Sequence, residues 1–389
     1  MIRVLADENM VGLDLLPKDE MDIHTVPGRT ISKRDLDGVD VLWVRSVTQV
    51  SEALVDGSKL RFVGTATAGL EHIDQEALKK RGIGFSAAPG ANANSVVEYV
   101  LAALAELQEP WERLEGGETL GIVGCGSVGR LFASVAQALG WNVKVHDPWL
   151  AQGNCSPDWA SFAEILQCRV ISLHCSLTRE QPWPSYHLFD APALAALNGS
   201  QWLINAARGS VIDNSALLEH LSGEDPVNCV LDVWEGEPAF NTALLASPAL
   251  KFATAHIAGY SWDAKWQATR MLYSSLLDAQ LLRTPLPEGL SSSESLAAVS
   301  GTGSDLARQL ISQRYSIKED DLLFRQLTSL GAQRAAGFDA LRRTYRQRRE
   351  LRGSELIQPR FIASRELSGI CAALGISLRE QRTELDATA

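Results

Sequence analysis

Three short segments each set a polar residue at the end of an apolar run: Asn205-Ala206-Ala207-Arg208-Gly209, Asp232-Val233-Trp234-Glu235-Gly236-Glu237-Pro238 and His256-Ile257-Ala258-Gly259. Arg208, Glu237 and His256 are the residue types that oxidation of a 2-hydroxyacid requires. A planar guanidinium grips a carboxylate and polarises the neighbouring C2 oxygen. An imidazole takes the hydroxyl proton, and a carboxylate paired with it raises its pKa and fixes its orientation. Taken singly, Arg208 suits a surface, Glu237 a turn and His256 a core position. Their order behind a nucleotide-binding fingerprint gives them a common meaning.

That fingerprint is Gly124-Cys125-Gly126-Ser127-Val128-Gly129, a G-x-G-x-x-G run between an apolar strand and a helical pattern over Val128–Leu139. Gly124 permits the tight turn, Gly126 lets backbone approach a pyrophosphate, and Gly129 allows close helix–strand packing. Ser127 and Val128 open the helix, whose N-terminal amides suit phosphate. The next strand ends at Asp147, where a carboxylate accepts hydrogen bonds from ribose hydroxyls and repels a 2′-phosphate. NAD is therefore expected over NADP.

These residues need a scaffold, and the apolar runs supply one. Ile2–Ala6, Val41–Val44 and Phe62–Gly64 read as strands, and a helix follows through Val96–Leu104, capped by Asn94 or Ser95 and ended before Pro110. Thr119–Val123, Asn142–His146, Arg169–His174, Trp202–Asn205, Cys229–Val233 and Phe252–Ala255 form a second series. Most are continuous apolar runs, as parallel strands covered on both faces are. A six-stranded parallel sheet is expected in the middle of an α/β chain. Trp262–Leu282 reads as one long helix stopped by Thr284-Pro285-Leu286-Pro287.

Beyond a loop region at Ser291-Ser292-Ser293 and Gly301-Thr302-Gly303-Ser304, the charge changes sign. Residues 290–389 carry 15 Lys or Arg against 12 Asp or Glu, whereas residues 1–289 carry 21 against 35. A separate C-terminal domain is expected, completed by Phe361-Ile362-Ala363 as a strand and a helix around Leu367–Leu374. Six arginines fall from Arg342 to Arg352, with Phe338, Leu341 and Tyr345 at helical spacing before and among them. They read as a solvated helix face beside a buried stripe, with an anion site as the alternative.

The formal net charge of −11 argues against nucleic-acid binding. The six cysteines have no CxxC pair and no metal-ligand spacing, so buried reduced thiols and a cytoplasmic setting are expected. No run reaches the ~18 apolar residues of a membrane span. The N-terminus carries no basic-then-apolar signal segment.

The fingerprint together with Asn205–Asp213, Asp232–Pro238 and His256–Gly259 resembles the signatures of the D-isomer-specific 2-hydroxyacid dehydrogenases. The resemblance implies Arg208, Glu237 and His256 as the catalytic set, Asp232 as a contact to the nicotinamide carboxamide, and Gly259 and Cys175 near the cofactor. It also implies a discontinuous, flavodoxin-like substrate domain (residues 1–93 and 257–285), a Rossmann cofactor domain (94–256) and a small α/β dimerisation domain (290–389), hence a homodimer. Narrower matches at Asp7–Met10, Val44–Thr48, Gly64–Gly69, Phe85–Gly90 and His256–Tyr260 resemble a branch of that family acting on a small phosphorylated sugar acid. They imply Ser46, Thr67 and Tyr260 as substrate contacts; Arg45 is the nearest cation for the phosphate. One departure stands out: His174-Cys175-Ser176-Leu177 replaces the family's His-x-Pro-Leu, which leaves the contact at Cys175 open, a backbone contact being one alternative. Other substrates of the class, such as phosphoglycerate or glyoxylate, and a non-catalytic NAD-sensing corepressor remain as alternatives. The βαββαβ rhythm of a regulatory ACT domain does not thread through the tail.

Overall fold

Fifteen strands form three all-parallel sheets among the residues that the computed structural model describes, 1–150, 158–287, 294–359 and 364–381. The first sheet contains β1 (Ile2–Asp7), β2 (Met21–Val26), β3 (Val41–Val44), β4 (Phe62–Thr65) and β5 (Gly84–Ala87), in the order β2-β1-β3-β4-β5. This is the flavodoxin-like order, which reverses direction between β1 and β3. β3 and β4 are buried along their whole length, which is why the apolar runs revealed them. β2 and β5 are edge strands, Met-Asp-Ile-His-Thr-Val with mixed burial and Gly-Phe-Ser-Ala half-buried throughout, and hydropathy alone did not single them out.

The second sheet contains β6 (Thr119–Val123), β7 (Asn142–His146), β8 (Asp158–Trp159), β9 (Val170–Leu173), β10 (Trp202–Asn205), β11 (Asn228–Leu231) and β12 (Leu250–Ala253). Its order is β12-β11-β10-β9-β6-β7-β8, a doubly wound Rossmann sheet whose order reverses between β6 and β9. Seven strands stand where six were expected, the addition being the two-residue β8. β11 and β12 end two residues earlier than their apolar runs suggested. Beyond Leu231 the Asp232 carboxylate turns to accept the amides of Ile257 and Ala258, so this stretch builds a loop. A small third sheet is ordered β13 (Ser295–Leu296), β14 (Glu355–Pro359), β15 (Ser377–Gln381).

The chain forms two compact units, residues 1–93 with 260–292 and residues 94–259 with 293–389. In the first, the helix Trp262–Asp278 lays Trp266, Leu272, Tyr273 and Leu276 against Val4, Val41 and Trp43. It ends earlier than expected, and the chain leaves it through Gln280 at φ 57° before the prolines.

In the second unit the tail covers the edge of the cofactor sheet. Asp321 accepts the Ala253 amide at 2.8 Å, and Arg325 donates to the carbonyls of Leu245 and Leu250. Phe324 stacks on Trp234 and Phe240, closing an apolar seam. An otherwise open edge strand is thereby satisfied.

Two local expectations are corrected. The helix over Ala93–Leu107 begins before Asn94 and Ser95, so neither caps it. The Asn94 amide donates to Glu98 and Glu350, and the Ser95 hydroxyl donates to the Ala258 carbonyl. The arginine run is not one solvated helix face either. Its helix stops at Arg343, and Arg348 is only 3% exposed. The expected strand Phe361–Ala363 and the loop Ser291–Ser293 lie outside the described residues, as does Cys155. The C-terminal helix runs over Arg365–Leu374.

Candidate active site

β6 delivers the glycine-rich loop at the point where the sheet order reverses. Gly124 has φ 95°, and a Cβ there would lie 2.5 Å from the Cys175 backbone. A Cβ on Gly129 would sit 1.9 Å from the Gly124 carbonyl oxygen, so the helix Ser127–Ala138 approaches the strand only without one. Gly126 differs: nothing lies within 4 Å of its missing Cβ, and it is exposed together with Ser127. Val128 is half-buried in the same first turn, where free amides face outward.

A cavity of about 670 Å³ opens here, lined by Gly124, Gly126, Asp147, Cys175 and two tryptophans, Trp149 and Trp183. Its size suits a large cofactor. The open face at Gly126, the first-turn amides and the neighbouring carboxylate fit the pyrophosphate and ribose of NAD.

Asp147 follows β7. One of its oxygens accepts the Cys125 amide at 2.8 Å and the other the Trp149 amide at 3.1 Å. This holds a negative charge at the rim of the glycine-rich loop. Cys175 meets that loop through its backbone, and burial pushes its thiol up to about 12, so it stays protonated at neutral pH. The two tryptophans were missed from sequence. They pack edge to face at 5.4 Å, and the Trp149 indole donates to the Trp183 carbonyl. A signal existed, since each follows a proline in an otherwise polar stretch.

Three more loops leave the carboxyl edge of this sheet. After β10, the Asn205 side chain accepts the Ala207 amide at 3.0 Å and donates to the Arg208 carbonyl at 3.0 Å, fixing the turn that carries Arg208. The half-buried guanidinium bonds the Ala207 carbonyl. A Cβ on Gly209 would fall 2.0 Å from the Trp234 backbone, so only glycine lets this turn rest against the loop after β11. The same two loops are tied by His187, whose Nε2 lies 2.7 Å from Glu235 and whose Nδ1 lies 3.5 Å from Asp213. Sequence reading missed this brace, because its members are far apart along the chain.

Glu237 and His256 are brought together. Nδ1 of His256 is hydrogen-bonded to one oxygen of Glu237, whose other oxygen accepts the Trp234 amide at 3.1 Å. Burial pushes the Glu237 carboxyl up, but the imidazole's charge and hydrogen bond outweigh it and leave the carboxyl below its ordinary range. It therefore stays ionised as pH falls through the usual carboxylate range, and the pair is lost only at lower pH. His256 has φ 56°, which a non-glycine residue adopts only when its surroundings hold it.

Asp232 does the holding. It is 1% exposed and accepts from the Thr254 hydroxyl and from the amides of Ile257 and Ala258. Half-buried Gly259 ends the turn.

The remaining residues singled out from sequence belong to the first unit. Arg45 and exposed Ser46 follow β3, and half-buried Thr67 lies just beyond β4. Arg45 Nε lies 3.2 Å from an oxygen of fully buried Asp7, across the reversal between β1 and β3. The Thr67 hydroxyl donates to the Gly69 carbonyl and lies 2.8 Å from that of Thr65. Tyr260 lies under the Lys265 ammonium at 4.8 Å. No described helix is long and apolar enough to cross a membrane.

Comparison with known proteins agrees with this geometry. Residues 105–258 match the profile of the D-isomer specific 2-hydroxyacid dehydrogenase NAD binding domain, and residues 292–371 match a domain family described as of unknown function. The erythronate-4-phosphate dehydrogenase of Pseudomonas fluorescens is 44% identical over 365 residues, covering 90% of this chain and 93% of that protein. The enzyme of the same name from Pseudomonas aeruginosa is 40% identical over 388 residues, covering 97% and 100%. Among solved structures, the D-lactate dehydrogenase of Aquifex aeolicus, complexed with NAD and lactic acid, matches with TM-score 0.56 and 20% identity over 72% of this chain and 96% of that one. A glyoxylate reductase from Paecilomyes thermophila matches with TM-score 0.59 and 23% identity over 74% and 97%. Both structural matches carry the fold alone. With a Rossmann sheet, its glycine-rich loop and full-length relatives at this identity, the chain belongs to the erythronate-4-phosphate dehydrogenase family of D-isomer specific 2-hydroxyacid dehydrogenases and is an NAD-dependent oxidoreductase.

Proposed function

We propose that this enzyme oxidises 4-phospho-D-erythronate at C2 to (R)-3-hydroxy-2-oxo-4-phosphooxybutanoate, a step towards pyridoxal 5′-phosphate. The observation that carries the reading is the Glu237–His256 pair, held in a strained turn at the carboxyl edge of a Rossmann sheet. His256 takes the C2 hydroxyl proton through Nε2 while Glu237, on Nδ1, fixes the tautomer and steadies the imidazolium. Arg208 grips the substrate carboxylate and polarises the C2 oxygen as it becomes a carbonyl.

NAD, when bound, supplies the hydride acceptor. Gly124, Gly126, Ser127, Val128 and Gly129 would cradle its pyrophosphate, Asp147 its ribose, and Cys175, Asp232 and Gly259 would border the nicotinamide side. Asp232 already has three protein donors, which makes it first a support for the His256 turn.

Arg45, Ser46, Thr67 and Tyr260 are assigned to the substrate, with Arg45 on the phosphate. Residues 1–93 and 257–285 would serve as substrate domain, 94–256 as cofactor domain and 290–389 as the dimerisation domain of a cytoplasmic homodimer. The test is NADH formation with 4-phosphoerythronate and with erythronate. A phosphate held by an arginine and hydroxyls contributes a few kcal/mol, so kcat/KM should differ by roughly 10²–10³-fold. Equal rates would remove the phosphorylated substrate and leave a general 2-hydroxyacid dehydrogenase.

A further inference from the structure

The turn that carries His256 is held from two sides, and only one of them belongs to the cofactor sheet. From the sheet, Asp232 takes all three donors: its carbonyl accepts the His256 amide at 2.7 Å, and its carboxylate accepts those of Ile257 and Ala258 at 2.8 and 2.9 Å. These bonds fix the N–H groups of the turn. The Ala258 carbonyl is held by different groups. It accepts the Ser95 hydroxyl at 2.8 Å and Nη2 of Arg348 at 2.6 Å, and the same Nη2 also bonds Ser95. Arg348 comes from the C-terminal tail, 90 residues away in sequence.

We propose that Arg348 is a positioning residue for His256, the tail reaching into the active site through the Ala258 carbonyl; this rests on His256 being the proton acceptor. The guanidinium is almost completely enclosed, at 3% exposure, with its central carbon 4.3 Å from the centre of the Tyr315 ring. Burying a guanidinium is costly, and an apolar side chain of similar size would fill the space with less penalty. A rigid, planar donor shared between the carbonyls of Ala258 and Ser95 does what an apolar chain cannot, which is to set where the Ala258 carbonyl sits.

The surroundings are built around it. Asp320 supplies opposing charge, while burial and the neighbouring Glu350 push the Glu98 carboxyl up to about 8; Glu98 accepts the backbone amides of Leu351 and Arg352, just before Gly353, and the side-chain amide of Asn94. Neighbouring arginines point elsewhere: Arg346 pairs with Glu319, Arg349 with Glu294 and Arg352 with Asn94. Ser95 and Ala258 both lie within two residues of a point where the chain passes from one compact unit to the other. The tail is thus joined to the one segment whose backbone conformation is strained at the reacting imidazole.

The test uses the full-length enzyme and three variants, Arg348→Met, Arg348→Lys and Ser95→Ala. Each is assayed for kcat, KM, NADH binding by fluorescence, and the isotope effect with substrate deuterated at C2. A misplaced imidazole slows the chemical step, so Arg348→Met should lower kcat on the order of 10²-fold, with NADH affinity and KM changed by less than about threefold. The isotope effect on kcat should rise, and Arg348→Lys should recover part of the loss. If Arg348→Met does not fold, Ser95→Ala carries the test, with a smaller fall in kcat and the same rise in isotope effect. Wild-type kcat and isotope effect in the folded variants overturn the proposal, as does a loss of NADH binding that matches the loss of turnover. His256→Ala separates the two readings. If it keeps turnover, the catalytic assignment itself falls; if it abolishes turnover while the Arg348 and Ser95 variants behave as wild type, only the positioning role falls.

Discussion

Both compact units hang their candidate functional residues from the carboxyl edge of a parallel sheet where the strand order reverses, yet they prepare those residues differently. Along the carboxyl edge of the cofactor sheet the preparation is in the backbone. Gly124, Gly129 and Gly209 stand where a single methyl would strike main chain, and His256 is held at positive φ by Asp232. At the β1/β3 edge it is in side-chain charge. Arg45 is already paired with buried Asp7, and the Thr67 hydroxyl is already bonded to Gly69. The first edge is organised before any ligand arrives. At the second, an incoming anion must compete with a carboxylate for its cation. On the assignment proposed above, chemistry falls to rigid geometry and substrate choice to a balance of charges.

The sharpest way to break this contrast is at Arg208. If the cofactor-sheet edge performs the chemistry, an ammonium cannot copy its two-pronged donation, and Arg208→Lys should lose about 3–5 kcal/mol of transition-state stabilisation, visible in kcat as well as KM. Near-normal kcat would move the substrate carboxylate to another cation and leave the first unit as the more organised site.

A smaller effect is expected at Arg45. Because Asp7 already neutralises part of its charge, Arg45→Ala should erase most, not all, of the roughly 10²–10³-fold advantage of the phosphorylated substrate. Comparing kcat/KM for both substrates in this variant decides the matter, and an unchanged ratio would place the phosphate on other residues.

The smallest effect is expected at Asp147, whose proposed role is repulsion from a half-buried position beside the glycine-rich loop. Asp147→Ser removes the charge and should narrow the preference for NAD over NADP by about tenfold, or ~1.4 kcal/mol. Wild-type enzyme that uses NADP as well as NAD would already contradict the ribose assignment.

Much of the cofactor-sheet edge was legible because its requirements are local. A tight turn, a close helix–strand approach and a carboxylate at a strand end each restrict the residue type within a few positions, so the glycine triplet and Asp147 carry their meaning in order and spacing. Fully buried strands such as β3, β4, β9 and β10 were equally plain, since burial on both faces demands continuous apolar runs. Arg208, Glu237 and His256 were legible as types behind that fingerprint. Their sequence did not contain the contact between Glu237 and His256, the positive φ of His256, or the His187 brace between two loops. Nor did it tell a capping Ser95 from one bonded to Ala258, or a solvated Arg348 from a buried one. The physical reason is range. A local backbone constraint leaves its mark on neighbouring residues, whereas a long-range partner leaves none on the residue it meets. An arginine reads the same whether water or a distant carbonyl receives its protons, and only the folded chain decides which.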